Sequence, residues 1–88
     1  MGPVLTGIAR VRATTSFVRV KGLSRRDARE YVREIADEVF ESAVLGVAKA
    51  KSVSLEFGDG ALLDKLLAFL NEHWDEIFAL ILKLIGMV

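Results

Sequence analysis

The clearest pattern of hydrophobic and polar positions lies between residues 24 and 50. Apolar residues recur there at intervals of three and four, and charged residues occupy most other positions, as in an amphipathic helix. Ser24 is a suitable N-cap, and Asp27 would lie near the positive end of the helix dipole. We therefore expect one amphipathic helix from about residue 24 to 45–50. Its apolar face would consist of Val32, Ile35, Ala36, Val39, Phe40, Ala43, Val44 and Val47.

The segment from about residue 61 to 85 or 86 predicts a second helix, which is apolar around most of its circumference. Its one polar stripe contains Asp64, Asn71, Glu72, Asp75, Glu76 and Lys83. A helix that is apolar over more than a narrow stripe needs cover from a core, a partner chain or lipid. This requirement is the strongest functional indication in the sequence, and it favours association over chemistry.

The N-terminal pattern is closer to alternation, which is typical of strands. Residues 4–14 alternate imperfectly, residues 17–21 alternate better, and Thr14 to Ser16 could form the turn of a basic hairpin. An N-terminal helix is the competing interpretation, and a flexible arm is a third. Ser52 to Phe57 also alternates and predicts a short strand, which Gly58 ends before Asp59 caps the last helix.

The expected fold class is therefore α+β. The element order β-β-α-β-α predicts a small antiparallel sheet with two amphipathic helices on one face, the C-terminal helix being strongly apolar. We expect a single small domain over residues 1–88, in which 1–21 form basic strands or an arm, 22–50 an amphipathic helix, 51–58 a short strand and 61–86 the apolar C-terminal helix.

Composition narrows the class of protein. Apolar residues make up 52% of the chain, and the formal net charge is zero. Such a chain is unlike disordered segments, which combine low hydrophobicity with high net charge. Cysteine is absent, so the sequence has neither a disulfide framework nor a thiolate metal site. A small chain with this apolar content commonly buries the excess by forming oligomers.

The net charge of zero conceals a division between the two parts of the chain. Residues 1–33 hold eight Lys/Arg against two Asp/Glu, whereas residues 34–88 hold four against ten. This asymmetry favours an anionic partner for the basic part, or head-to-tail association between copies. An anionic membrane surface and nucleic acid are the candidate anionic partners. The predicted anion-binding residues are Arg10, Arg12, Arg19, Lys21, Arg25, Arg26 and Arg29.

Candidate catalytic chemistry is sparse. His73 is the only histidine, and Glu76 lies one helical turn further on, which supplies too few ligands for a closed metal site. The acidic residues of the two helices fall on faces that the periodicity places in solvent, where carboxylates keep ordinary pKa values. We therefore expect no enzymatic activity, no cofactor and no resident metal.

The sequence predicts a structural or interaction module, which self-associates or docks into a larger assembly through its apolar C-terminal helix. Large apolar and aromatic side chains dominate interface energetics. A membrane-surface protein using the same helix is an alternative, as is nucleic-acid binding by the basic part. Without a signal peptide or a full transmembrane span, the expected location is the cytoplasm, an assembly or a membrane periphery. The predicted interface residues are Leu66, Phe69, Leu70, Trp74, Ile77, Phe78, Ile81 and Ile85.

Overall fold

The computed structural model describes residues 3–53 and 61–87, and side chains within these ranges except those of residue 3 and residues 61–63. Four α-helices follow one another in this part of the chain: α1 (Pro3–Lys21), α2 (Arg25–Glu34), α3 (Asp37–Ala50) and α4 (Ala61–Leu84). Helix α1 packs against the other three helices, and α3 packs along α4. The described residues contain no strand, so the predicted α+β fold with an antiparallel sheet is wrong.

The predicted N-terminal strands are replaced by α1. Small side chains let this helix approach its neighbours closely, while Leu5 and Phe17 at either end fill the larger spaces of the core. Ala9 and Ala13 lie between them at the four-residue spacing that places all four side chains on one helix face. The alternation of Val and Arg in this segment therefore reflects two outer faces of a helix. The competing interpretation, an N-terminal helix, is the one that the structure shows.

The predicted helix from Ser24 to about residue 50 is two helices. Ser24 is the N-cap of α2, as predicted, and its hydroxyl accepts a hydrogen bond from the Asp27 N–H at 3.1 Å. The backbone then becomes extended at Ile35 and Ala36. The guanidinium of Arg10 donates to the carbonyl oxygens of Val32 and Ile35, which a continuous helix would use for its own hydrogen bonds. This contact stabilises the break.

Helix α3 ends in a Schellman motif. The N–H of Val53 donates to the Ala48 carbonyl at 2.9 Å, and the N–H of Ser52 donates to the Lys49 carbonyl at 3.1 Å. Ser52 has a φ of +57°, in the left-handed region where glycine is usual at this position. Ser52 and Val53 therefore belong to a helix end and not to the predicted strand. The rest of that strand, together with Asp59, lies outside the described residues.

The predicted C-terminal helix is present as α4, with a kink at His73, where φ is −117° and ψ is 18°. The helix ends at Leu84 in another Schellman motif, in which Gly86 has a φ of +82° and the N–H of Met87 donates to the Leu82 carbonyl. Both halves of α4 face the core. The cover that its apolar surface needs is supplied by α1 and α3 of the same chain.

An aromatic cluster joins three of the helices at the centre of the core. The Phe17 ring of α1 stacks on Tyr31 of α2 with 5.1 Å between centroids and meets Phe78 of α4 edge-on at 5.2 Å. Trp74 stacks beside Phe78, and its indole N–H donates to the Ser16 hydroxyl at 2.7 Å. These contacts fix the position of α1 against α2 and α4.

Candidate interaction surfaces

The predicted interface residues of α4 lie largely inside the chain's own core. Six of them are buried, and Trp74 and Ile85 are partly buried against the same core. In this arrangement a partner could reach the six only if α4 separated from α1 and α3. An interface between chains at these positions therefore stays a prediction. The buried residues are Leu66, Phe69, Leu70, Ile77, Phe78 and Ile81.

The predicted anion-binding residues are divided between contacts within the fold and exposed positions. Arg10 is committed to the α2 carbonyls, to Asp37 and to the face of the Phe40 ring, 4.7 Å from its centroid. Arg12 donates to the side-chain oxygen of Asn71 on α4. Both arginines therefore make contacts within the fold, whereas the remaining residues are exposed. The exposed residues are Arg19 and Lys21 at the end of α1 and Arg25, Arg26 and Arg29 on α2.

The arginines of α2 form the basic side of that helix. Arg29 and Arg33 line a shallow groove of about 280 Å³ together with Val11 and Thr14 of α1. Arg26 lies further out and is within 3.6 Å of Glu30 in an exposed ion pair. Anion binding at these arginines stays a prediction.

The opposite side of α2 borders another groove, with a volume of about 610 Å³. Its apolar side chains come from α2, from α3, from the turn between them and from the residue that follows α4. Three carboxylates of α2 line it as well, and we refer to it as the acidic groove. The apolar lining is Tyr31, Ile35, Ala36, Val39 and Ile85, and the carboxylates are those of Asp27, Glu30 and Glu34.

The carboxylates of the acidic groove are only partly balanced by neighbouring positive charge. Within the described part of the chain, Asp27 and Glu34 make no ion pair, and Glu30 has only the exposed contact with Arg26. Asp27 interacts favourably with the α2 N-terminus through the dipole of that helix. The groove therefore combines an apolar floor with a negative rim.

A second apolar surface runs along the outside of α1. Its members are spaced alternately by four and three residues, which is the repeat of a helix that packs against another helix. Val11 is 70% exposed and Val4 56% exposed, and the other three are partly exposed. We call this surface the α1 stripe; it consists of Val4, Ile8, Val11, Thr15 and Val18.

Neither surface was identified from the sequence, although the α1 stripe has a signal there. The four-three spacing from Val4 to Val18 is visible in the printed chain, but assigning the segment to strands conceals it. The groove has no comparable signal, because Ile85 is more than 50 residues from Tyr31. Only the packing of α4 against the other helices brings these two side chains to one groove.

The titratable groups near the α4 kink form a small exposed network. Lys51, which follows α3 directly, lies 3.1 Å from Glu76, and His73 lies 3.6 Å from the same carboxylate. The hydrogen bond from Lys51, with a further contribution from His73, holds the pKa of Glu76 below its ordinary value. No three His, Asp or Glu side chains of residues 3–53 and 61–87 are grouped as metal ligands would be. The network links α3 to α4.

Comparisons of the chain with protein-family models, curated proteins and solved structures find no match. The structure and the residues themselves therefore carry the functional argument. Among the helices of the described residues, none has the length and apolar character needed to cross a membrane.

Proposed function

We propose that this chain is a non-enzymatic interaction module that acts by associating with further copies of itself. The observation that carries the proposal is the α1 stripe, whose four-three spacing matches the repeat of packed helices. Its Val4 and Val11 are exposed, while Ile8 and Val18 are partly exposed and also pack against the core. Burying one valine of this stripe contributes about 1.5–3 kcal/mol. Several such side chains buried together support a stable contact.

The proposed class of function, self-association, is the one expected from the sequence, but the proposed contact surface lies on α1 and not on α4. Folding hides the core face of α4 against α1 and α3, so the apolar surfaces left for a partner include the α1 stripe and the acidic groove, while Leu45, Val53 and Leu84 are exposed elsewhere. Exposed hydrophobic side chains scattered singly need no explanation, but a contiguous stripe flanked by polar residues is typical of an interaction site.

The proposal is tested by the solution mass, measured by size-exclusion chromatography with light scattering over a range of concentrations. We expect multiples of 9.7 kDa that increase with concentration. Val11→Lys, in the middle of the stripe, should return the chain to the mass of one copy. Val20→Lys is the matched control, because Val20 is 65% exposed on the same helix but lies outside the stripe. A wild-type chain that stays at the mass of one copy throughout refutes the proposal.

A further inference from the structure

We infer that copies of this chain associate head to tail, with the α1 stripe of one copy seated in the acidic groove of the next. This inference rests on the proposed function, and it adds the occupant of the groove and the polarity of the contact. It follows from the charges beside the stripe, the charges around the groove and the separation of the two surfaces on one molecule.

The charges beside the α1 stripe disfavour its pairing with another α1. Helix α1 contains four Lys/Arg and no acidic residue. Arg12 and Arg19 follow Val11 and Val18 directly and therefore flank the stripe on one side, while Lys21 lies on the other. Two α1 helices packed through their stripes would bring cations of both helices close together, and α1 itself supplies no anion to offset them. The stripe therefore needs an apolar surface with a negative border.

The acidic groove has that composition. Its floor offers aromatic and aliphatic side chains, including Tyr31 and Val39, and its rim carries the carboxylates of Asp27 and Glu34 without an ion pair among the described residues. A cationic apolar helix would cover the floor and supply the missing counter-charges. Opposite potentials on two surfaces favour this encounter and disfavour the contact between like surfaces.

The spacing of the charges also matches. Arg12 and Arg19 are seven residues apart in α1, and Asp27 and Glu34 are seven residues apart in α2. Seven residues of α-helix span about 10 Å. Two cations on one helix can therefore lie opposite two carboxylates on another when the helices run side by side.

The two surfaces lie on opposite sides of α2 and do not overlap. The acidic groove is lined by Asp27, Glu30 and Glu34, whereas Arg29 and Arg33 face the groove that includes Val11. One copy can consequently use both surfaces at the same time. A contact between two different surfaces is heterologous and produces rings or open chains of copies. We therefore expect a series of masses and not a dimer alone.

Charge reversal on each surface tests the pairing. One variant carries Arg12→Glu and Arg19→Glu, and another carries Asp27→Lys and Glu34→Lys. Each alone should raise the apparent dissociation constant for self-association by about tenfold or more, because like charges then meet across the contact. A variant that combines all four changes restores opposite charges, and we expect its mass to return toward that of the wild type.

A matched control reverses the same number of charges elsewhere. Glu72→Lys with Asp75→Lys alters two exposed carboxylates of α4 outside the acidic groove, and self-association should not weaken. Circular dichroism shows whether each variant is helical. If the change at Asp27 destabilises α2, the single variants Glu34→Lys and Arg19→Glu, and their combination, provide the same comparison.

The outcomes separate this inference from the proposed function. A wild-type chain that never exceeds the mass of one copy refutes both. An oligomer whose mass is unaffected by either charge reversal, or whose loss is not rescued by the combined variant, overturns head-to-tail pairing while self-association stands. Weakening by each reversal, rescue by their combination and an unaffected control support the inference.

Discussion

Replacing Arg10 by methionine should destabilise the fold strongly, although this arginine is partly exposed. The guanidinium donates to the carbonyl oxygens of Val32 and Ile35, the second at 2.8 Å, and is paired with Asp37 at the start of α3. It also lies over the Phe40 ring. Methionine retains most of the side-chain stem but removes every one of these interactions. The turn between α2 and α3 would lose the group that stabilises it.

The size of the effect follows from the separate interactions. Each charge-assisted hydrogen bond to a carbonyl contributes about 1.5–3 kcal/mol, which is reduced here because water can reach part of the site. The contact with Phe40 adds about 0.5–1 kcal/mol, and the ion pair with exposed Asp37 adds about 0–1 kcal/mol. We expect the free energy of unfolding to fall by about 2–4 kcal/mol in total, a large share of the ~5–15 kcal/mol typical of a folded domain.

The assay is urea unfolding followed by circular dichroism at a concentration where the chain has the mass of one copy. Asp37→Asn is the matched variant, since it removes the ion pair and the interaction of this carboxylate with the α3 dipole, and it should cost less than Arg10→Met. Arg10→Lys should resemble Arg10→Met, because an ammonium lacks the planar fork that reaches several acceptors. A change of less than about 0.5 kcal/mol for Arg10→Met, within the range of ordinary surface substitutions, would refute the assignment of Arg10 to the α2–α3 turn.

Two further predictions concern the helix ends and the network between α3 and α4. Ser52→Gly should raise the free energy of unfolding by about 0.5–1 kcal/mol, because glycine adopts the left-handed backbone of Ser52 without strain. The greater conformational entropy of glycine in the unfolded chain offsets part of this stabilisation. Chemical denaturation checks this, and an unchanged or lower midpoint counts against the motif. Because the pKa of Glu76 is lowered, its contact with Lys51 stabilises the fold at pH values above the ordinary carboxyl pKa. This stabilisation is lost as the pH falls through the lowered pKa. Between neutral and acidic pH, the melting temperature of Glu76→Gln should therefore fall less than that of the wild type. Equal decreases would contradict this role of Glu76.

The helical periodicities were informative where the apolar face was large and continuous. The pattern over residues 61–85 predicts a helix, and α4 is present over Ala61–Leu84. Ser24 is the N-cap of α2, as the sequence predicts. These features depend on neighbours in sequence, since helix periodicity and capping involve residues within about one turn of each other.

The N-terminal segment was wrongly assigned because its local signals are divided. Val and Thr favour strands, and α1 has no polar face of its own. Its helical conformation is decided by the space between α2, α3 and α4, where Ala9 and Ala13 allow close approach and Phe17 fills the centre. The break at Ile35 is also decided by tertiary contacts. The apolar repeat of the sequence continues through Ile35 without interruption, and Arg10, which stabilises the break, is distant in sequence.

The sequence by itself determined that this chain is rich in apolar surface, that its charge is divided between two parts and that its last helix needs cover. Tertiary structure decided which surfaces stay exposed. Helix α1 covers α4 and turns the α1 stripe outward, while α2 places its arginines on one side and its carboxylates on the other beside a groove completed by Ile85. Hydrophobic burial has no direction of its own, so the amount of apolar surface can be read from composition, but its location depends on how the helices pack.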